Sequence, residues 1–163
     1  MCGIAGYIGK NPINKQKIIN TLELMKNRGP DHRDYRLFKK NNTHIYLLHS
    51  RLSIIDLDIR SNQPFIFKNY TLVFNGEIYN YIEVRKELEK LGHTFATDSD
   101  TEVLLKAYIE YGEDCVNKFN GMWAFAIWDE NKQKLFLSRD RFSEKPLYYF
   151  KDISGFYFAS EVK

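Results

Sequence analysis

The segment that most constrains the fold is a seven-residue run, Met122-Trp123-Ala124-Phe125-Ala126-Ile127-Trp128, which is apolar throughout. Side chains alternate between the two faces of a strand, so both faces of this strand must be covered. Three more strands are predicted after it, over 134–138, 147–150 and 156–159. Antiparallel hairpins that are buried on both faces imply two stacked sheets with helices outside them. The sequence therefore predicts a layered α+β architecture.

The first two thirds of the chain alternate strand and helix patterns. Strands are predicted over 3–8, 35–38, 45–49 and 70–74, and the last of these is followed by Asn75-Gly76, a dipeptide typical of tight turns. Amphipathic spacing predicts helices over 13–27 and 79–91. A third helix is predicted to begin at Ser99, since Glu102 completes a capping box, and to end at Gly112, with a short helical piece over 114–119.

Size and composition exclude several function classes. With 163 residues the chain is predicted to be one domain, 1–163. A net charge of +3 without a basic stripe argues against nucleic-acid binding, and the lack of a long apolar run argues against a membrane span. No signal peptide is indicated, and the two cysteines, Cys2 and Cys115, form no CxxC motif. The histidines share no metal-ligand spacing. We expect a cytoplasmic, thiol-reducing environment and no metal site.

Cys2 directly follows the initiator methionine. Removal of Met1 would put a thiol and a free α-amine on one residue. The α-amine of a polypeptide titrates at about 7.7–8.0, so it can act as a base near neutral pH. Such a pairing activates a nucleophile without a separate histidine. The alternative for Cys2 alone is an ordinary small residue that opens a strand.

Nine short motifs in order carry a resemblance to a known family. The chain resembles the glutaminase domains of class II glutamine amidotransferases, which are N-terminal-nucleophile hydrolases, and in particular those of glutamine-hydrolysing asparagine synthetases. The resemblance implies a four-layer αββα sandwich with two stacked antiparallel sheets. The motifs are Met1-Cys2-Gly3-Ile4, Arg28-Gly29-Pro30-Asp31, Ser50-Arg51-Leu52-Ser53-Ile54-Ile55-Asp56, Asn75-Gly76-Glu77-Ile78-Tyr79-Asn80, Ser99-Asp100-Thr101-Glu102, Gly121-Met122-Trp123-Ala124-Phe125-Ala126, Arg139-Asp140-Arg141, Lys145-Pro146-Leu147-Tyr148-Tyr149 and Phe158-Ala159-Ser160-Glu161.

The resemblance also implies roles for individual residues. Cys2 would attack the side-chain amide of glutamine. The Asn75 side chain and the Gly76 backbone N–H would bind the resulting oxyanion, although an Asn-Gly hairpin turn is the structural alternative for that pair. Arg51 would hold the α-carboxylate of glutamine and Asp100 its α-ammonium. Asp100 is also a residue type that favours a helix start. The rest of the pocket would be formed by Leu52, Ser53, Ile54, Ile55 and Glu77.

Asparagine synthetases continue into an ATP-dependent synthetase domain, whose Ser-Gly-Gly-x-Asp-Ser loop does not occur in this sequence. The resemblance therefore implies that this domain needs no cofactor, that ATP and Mg would belong to the synthetase domain, and that ammonia passes to that domain or to a partner subunit. A homodimer is an open alternative for the assembly. Ser143 stands where the family usually has glycine, which predicts local strain if the position requires a positive φ.

Two function classes follow from these residues. The first is an enzyme that hydrolyses glutamine to glutamate and ammonia through a γ-glutamyl thioester on Cys2. The second is a non-catalytic module that binds glutamine through Arg51 and Asp100 and never exposes its amine. Removal of Met1 discriminates between them.

Overall fold

The structure is a computed structural model that describes residues 1–162. Nine strands form two antiparallel sheets, and three α-helices pack against them. The helices are α1 (Lys15–Leu24), α2 (Tyr81–Lys90) and α3 (Asp100–Tyr111). The strands are β1 (Gly3–Gly9), β2 (His32–Lys40), β3 (Thr43–Arg51), β4 (Phe65–Phe67), β5 (Tyr70–Ile78), β6 (Gly121–Asp129), β7 (Lys134–Arg139), β8 (Tyr148–Lys151) and β9 (Gly155–Ala159).

The layers follow the order helix, sheet, sheet, helix. A five-stranded sheet has the order β2-β3-β1-β9-β8, and a four-stranded sheet has the order β4-β5-β6-β7. Ile4, Leu47, Val73 and Trp128 are among the buried residues that fill the space between the sheets. Helix α1 covers the outer face of the larger sheet, while α2 and α3 cover that of the smaller one. The predicted α+β sandwich is confirmed.

The β6 strand has the burial that its composition predicts. All residues from Trp123 to Asp129 are buried. Trp123 and Phe125 face the helices, whereas Ala124 and Ala126 face the other sheet. The small side chains on the inter-sheet face let the two sheets approach, and the aromatic ones fill the wider space beneath α3.

One local prediction was wrong. Asn75-Gly76 is not a hairpin turn, because β5 continues to Ile78 and both residues are paired with β6. Asn75 lies opposite Ala124 and Gly76 lies opposite Trp123. Long-range pairing with the apolar β6 strand outweighs the local turn preference of the dipeptide. The second half of β5 lines the cavity described below.

Helix α3 begins as predicted, but its capping box is only half formed. The Ser99 hydroxyl accepts the backbone N–H of Glu102 at 3.3 Å. The Glu102 carboxylate does not return to Ser99. It accepts the backbone N–H groups of Ala96 and Thr97 at 3.0 and 2.8 Å and lies 3.5 Å from the Lys106 ammonium. This buried network fixes the loop that leads into Asp100.

Other sequence expectations are settled by burial and backbone geometry. Cys115 is fully buried, as a small apolar residue would be. Ser143 has a φ of 58°, so the position does require the left-handed conformation that favours glycine. A buried ionic cluster of Arg139, Asp140 and Arg141 is a further expectation from the sequence, but within residues 1–162 Asp140 accepts backbone N–H groups and forms no ion pair with either arginine. In residues 1–162, no helix is long and apolar enough to cross a membrane.

Candidate active site

A small cavity of about 60 Å³ lies where the N-terminus, the end of β3, β5 and the start of α3 meet. Met1 and Lys145 also contribute to its wall. Ser53 is not among its lining residues, because its backbone N–H turns to the Asp31 carboxylate at 2.7 Å. The predicted site residues that the cavity brings together are Cys2, Arg51, Leu52, Ile54, Ile55, Asn75, Gly76, Glu77 and Asp100.

The Cys2 thiol is fixed by the backbone of Leu52. The Leu52 N–H donates to Sγ at 3.4 Å, and the thiol donates to the Leu52 carbonyl at 3.6 Å. Burial raises the pKa of the Cys2 thiol above its ordinary value, and the Leu52 contact and the Arg51 charge partly oppose this effect. The thiol is therefore protonated at neutral pH in this state, and a base must remove its proton before it can attack.

The Arg28-Gly29-Pro30-Asp31 loop supports both Cys2 and β3. The Arg28 Nε donates to the Cys2 carbonyl at 2.9 Å. The Asp31 N–H donates to the Arg51 carbonyl at 3.0 Å. A Cβ at Gly29 would lie 2.2 Å from the Ser50 carbonyl, so only glycine lets the loop pack this closely on β3. The motif thus acts as a brace for the nucleophile.

Asn75 is 1% exposed, and its Nδ2 has no hydrogen-bond partner within residues 1–162. A buried amide donor without a partner is costly unless something else satisfies it. Asn75 shares the cavity with Cys2, so this donor is available to a molecule bound there. The glycine that follows is required by packing, since a Cβ at Gly76 would lie 2.2 Å from the Met122 carbonyl.

Arg51 lies at the end of β3 and is 5% exposed. Its Nη1 donates to the Asp58 carbonyl at 3.1 Å and to Asn62 Oδ1 at 2.6 Å, and its Nη2 donates to the Asp56 carbonyl. Among the described residues, these contacts use three of the five N–H groups of the guanidinium. Two N–H groups are left, the number that a bidentate carboxylate requires.

Asp100 is the first residue of α3 and is 5% exposed. Its Oδ2 accepts the Ile78 N–H at 3.1 Å, which ties the helix start to the end of β5. Burial raises the pKa of the Asp100 carboxyl to about 6, because desolvation penalises its charged form. A cation bound beside it would offset that penalty and favour ionisation.

Four cavity residues had no predicted role: Gln63, Phe74, Thr101 and Lys145. Gln63 accepts the Phe74 N–H at 2.6 Å and donates to the Thr101 hydroxyl at 3.3 Å, so it links β5 to α3. Only the tertiary fold brings Gln63 and Thr101 together. Lys145 belongs to one of the nine sequence motifs, and this was the only sequence feature that could have marked it as a site residue. Within residues 1–162, no group of His, Cys, Asp or Glu has an arrangement that could hold a metal ion.

Known sequences match this chain along its whole length. A family model described as a glutamine amidotransferase domain matches residues 1–163. The glutamine-hydrolysing asparagine synthetases 3 and 1 of Bacillus subtilis (strain 168) are 42% and 44% identical over 170 residues. Both matches cover the whole chain but only 27% and 26% of the relatives. Amidase chry2 of Gibberella zeae is 36% identical, again over the whole chain and 26% of the relative. The chain thus spans about a quarter of the length of these relatives.

A solved structure has the same fold. The glutamine phosphoribosylpyrophosphate amidotransferase from B. subtilis, complexed with ADP and GMP, superposes with a TM-score of 0.76 at 20% identity. The match covers 98% of this chain and 42% of that one. At this identity the likeness establishes the fold alone, a sandwich of two stacked sheets. Together with the family model and the relatives, it shows that the chain belongs to the glutamine amidotransferase domain family and matches the glutaminase portion of glutamine-hydrolysing asparagine synthetases.

Proposed function

We propose that this domain hydrolyses the side-chain amide of glutamine, with Cys2 as the nucleophile. The observation that carries the proposal is a shared cavity. It holds the Cys2 thiol, the unpartnered Asn75 amide donor, one buried guanidinium (Arg51) and one buried carboxylate (Asp100). These groups match the reacting amide and the two charged ends of a free amino acid.

The chemistry proceeds through a thioester. After Met1 is removed, the α-amine of Cys2 takes the thiol proton, directly or through water, and Sγ bonds to the amide carbon of glutamine. The carbon–nitrogen bond then breaks, and the amine returns the proton to the departing ammonia. Water, deprotonated by the same amine, adds to the thioester carbon. The carbon–sulfur bond breaks, glutamate leaves, and the thiol is restored.

The oxyanion formed at each addition needs donors that are already oriented. The Asn75 Nδ2 and the Gly76 backbone N–H are the two candidates, and both belong to β5. The strand is hydrogen-bonded to β6 along its length, so these donors require little reorganisation when charge develops. In other enzymes, removal of one oxyanion donor costs about 2.7–4 kcal/mol of transition-state stabilisation.

Recognition of the substrate relies on charge pairing. The two remaining N–H groups of Arg51 would bind the α-carboxylate. The oxygen atoms of Asp56, Asp58 and Asn62 fix the orientation of the guanidinium. Asp100 would bind the α-ammonium. Leu52, Ile54, Ile55 and Glu77 would complete the pocket around the aliphatic part of glutamine, with Ser53 fixing the backbone behind them.

Met1 obstructs this reaction in two ways. The Met1–Cys2 peptide bond makes the Cys2 nitrogen a non-basic amide, and Met1 itself lines the cavity. Cleavage of Met1 would both create the base and enlarge the pocket.

The fate of ammonia is proposed from the relatives. The names of the relatives, asparagine synthetases, support a synthetase domain or subunit as the acceptor of the ammonia. The family resemblance adds that this acceptor would use ATP and Mg²⁺ to amidate aspartate. This glutaminase domain would need no cofactor of its own. We propose the cytoplasm as its compartment, consistent with the unpaired thiols of Cys2 and Cys115.

The test uses protein whose mass shows complete removal of Met1. We expect it to release glutamate and ammonia from glutamine, and we expect Cys2→Ser to release neither at a comparable rate. Irreversible labelling by a glutamine-mimicking electrophile should likewise require Cys2. If the trimmed protein binds glutamine but releases no ammonia, the non-catalytic module is the correct function.

A further inference from the structure

Lys145 is a buried cation in the cavity wall, and the mechanism above does not use it. It is 5% exposed and lines the same cavity as Cys2. Its Nζ lies 3.1 Å from Met1 Sδ, a thioether with no charge. None of the ion pairs formed within residues 1–162 involves Lys145. A buried ammonium without a counter-charge is costly, and such a group beside a cleft is a candidate for function.

The loop that carries Lys145 is rigidly held. The Asp140 carboxylate accepts the backbone N–H of Lys145 at 3.0 Å and those of Glu144 and Phe142 at 2.9 and 3.1 Å. The Arg139 Nε donates to the Lys145 carbonyl at 2.7 Å. Both backbone groups of Lys145 are therefore fixed, and its side chain is buried and lines the cavity.

The position of Met1 indicates what Lys145 will face. Met1 is joined by its peptide bond to the nitrogen that becomes the α-amine of Cys2. Its Sδ lies 3.1 Å from the Lys145 Nζ, and Met1, Cys2 and Lys145 line the same cavity. After cleavage, the new amine and the ammonium would both border that cavity.

The other charges around Cys2 come from three elements and the preceding loop. Asp100 on α3 and Glu77 on β5 are negative, and Arg51 on β3 is positive. Arg28 contacts the Cys2 carbonyl and pairs with Glu161 at 3.1 Å. With glutamine bound as proposed, Arg51 and Asp100 are matched by the substrate. Lys145 then stays as a positive charge. Two negative groups oppose it, the partly exposed Glu77 and the Asp140 carboxylate, which is already neutralised in part by the backbone N–H groups that it accepts.

We propose that Lys145 is a positioning residue whose ammonium keeps the α-amine of Cys2 in its neutral, proton-accepting form once Met1 is removed. The inference rests on the proposed function. A like charge in a shared, poorly hydrated cavity disfavours protonation of the amine. The neutral amine is the form that can take the thiol proton, so the Lys145 charge extends activity to lower pH.

The experiment compares Met1-trimmed Lys145→Met, Lys145→Arg and wild-type protein, with the exposed Lys132→Met as a control that removes the same charge far from the cavity. The acid limb of the kcat/KM profile for glutamine should move to higher pH by about one unit or more in Lys145→Met. On that limb, activity should then fall about tenfold for each pH unit by which the midpoint moves, and it should recover in alkaline buffer. Lys145→Arg should retain the wild-type midpoint, and Lys132→Met should not differ from wild type.

A second measurement does not depend on turnover. In protein labelled with ¹³C-cysteine, the α-carbon signal of Cys2 reports titration of the amine, and buried Cys115 serves as an internal control. The pH midpoint of the Cys2 amine titration should be higher in Lys145→Met than in the wild type, and it should be unchanged in Lys145→Arg. An unchanged midpoint, or an equal loss of activity at every pH, would overturn the role of Lys145 while leaving the glutaminase intact. If wild-type trimmed protein has no Cys2-dependent turnover, the proposed function itself fails.

Discussion

At the scale of single residues, the site combines groups that are costly to bury with a cavity that lets a ligand satisfy them. Asn75 Nδ2 has no partner among the described residues, and Asp100 carries a carboxyl whose charged form burial disfavours. Both costs are offset when a bound molecule supplies an acceptor and a cation. The free energy that the empty site loses by burying these groups is regained only with a ligand that carries both an amide and an ammonium group, so the site is selective for such a ligand.

Replacement of Asn75 by alanine should affect turnover far more than binding. The lost donor acts on the oxyanion, which exists only in the transition state and the intermediate. We expect kcat to fall by about 10²–10³, with a modest change in KM. Steady-state kinetics on trimmed protein would measure this, with the exposed Asn131→Ala as a control. An unchanged kcat would remove Asn75 from the oxyanion site.

Asp100 should make glutamine binding depend on pH. Because its pKa is raised to about 6, the carboxylate that binds the substrate ammonium is lost as pH falls through 6. We expect KM to rise below pH 6 and to level off above pH 7. In Asp100→Asn, KM should be high at every pH. A KM that is independent of pH in the wild-type enzyme would contradict this assignment.

The same pKa has a consequence for folding. The pKa of the Asp100 carboxyl is higher in the folded state than in the unfolded state. The free energy of unfolding therefore falls as the pH rises from the unfolded-state pKa to the folded-state pKa. The ionised Asp100 therefore destabilises the free fold near neutral pH. Asp100→Asn can still accept the Ile78 N–H, so its thermal midpoint at pH 7 should equal or exceed that of the wild type. A clear drop in the midpoint would point to a structural role.

At the scale of elements, the pairing of β5 with β6 determines both fold and site. The apolar β6 pattern was sufficient to predict a strand covered on both faces, and burial confirms it. The prediction of a turn at Asn75-Gly76 was wrong because local propensity carries no information about a partner strand about fifty residues away. The three-residue β4 strand was missed because it is too short to show a period.

Gly76 should be sensitive to the addition of one methyl group. A Cβ there would lie 2.2 Å from the Met122 carbonyl and 2.8 Å from the Trp123 Cα, both of them backbone atoms of β6. We expect Gly76→Ala to destabilise the fold by about 1–3 kcal/mol, which lowers Tm by several degrees. Thermal unfolding followed by circular dichroism measures this, and an unchanged Tm would show that the strands can separate at no cost.

At the scale of the whole molecule, the stacked sheets bring together groups that are far apart in the chain. The sequence motifs predicted Cys2, Asn75 and Asp100 as site residues, and all three line one cavity. The loop oxygens that hold Arg51 and the side chain of Lys145 could not be predicted, because irregular loops and long-range packing determine them. Periodicity predicted the layers, while the contacts inside the cavity required coordinates.

The hydrolytic half-reaction should be independent of the synthetase chemistry proposed for the larger enzyme. Every group assigned to it belongs to this chain. We expect glutamine hydrolysis by the trimmed domain to be unchanged by omission of ATP and by addition of a metal chelator. A rate that depends on added ATP or Mg²⁺ would mean that the site is completed only by another domain.

The measurement that tests the account most directly is mass spectrometry of Met1-trimmed protein quenched in acid during turnover of glutamine. We predict that one γ-glutamyl group is found on the N-terminal peptide that carries Cys2. Release of ammonia with no acyl group on that peptide, or with the group on Cys115, would contradict the account.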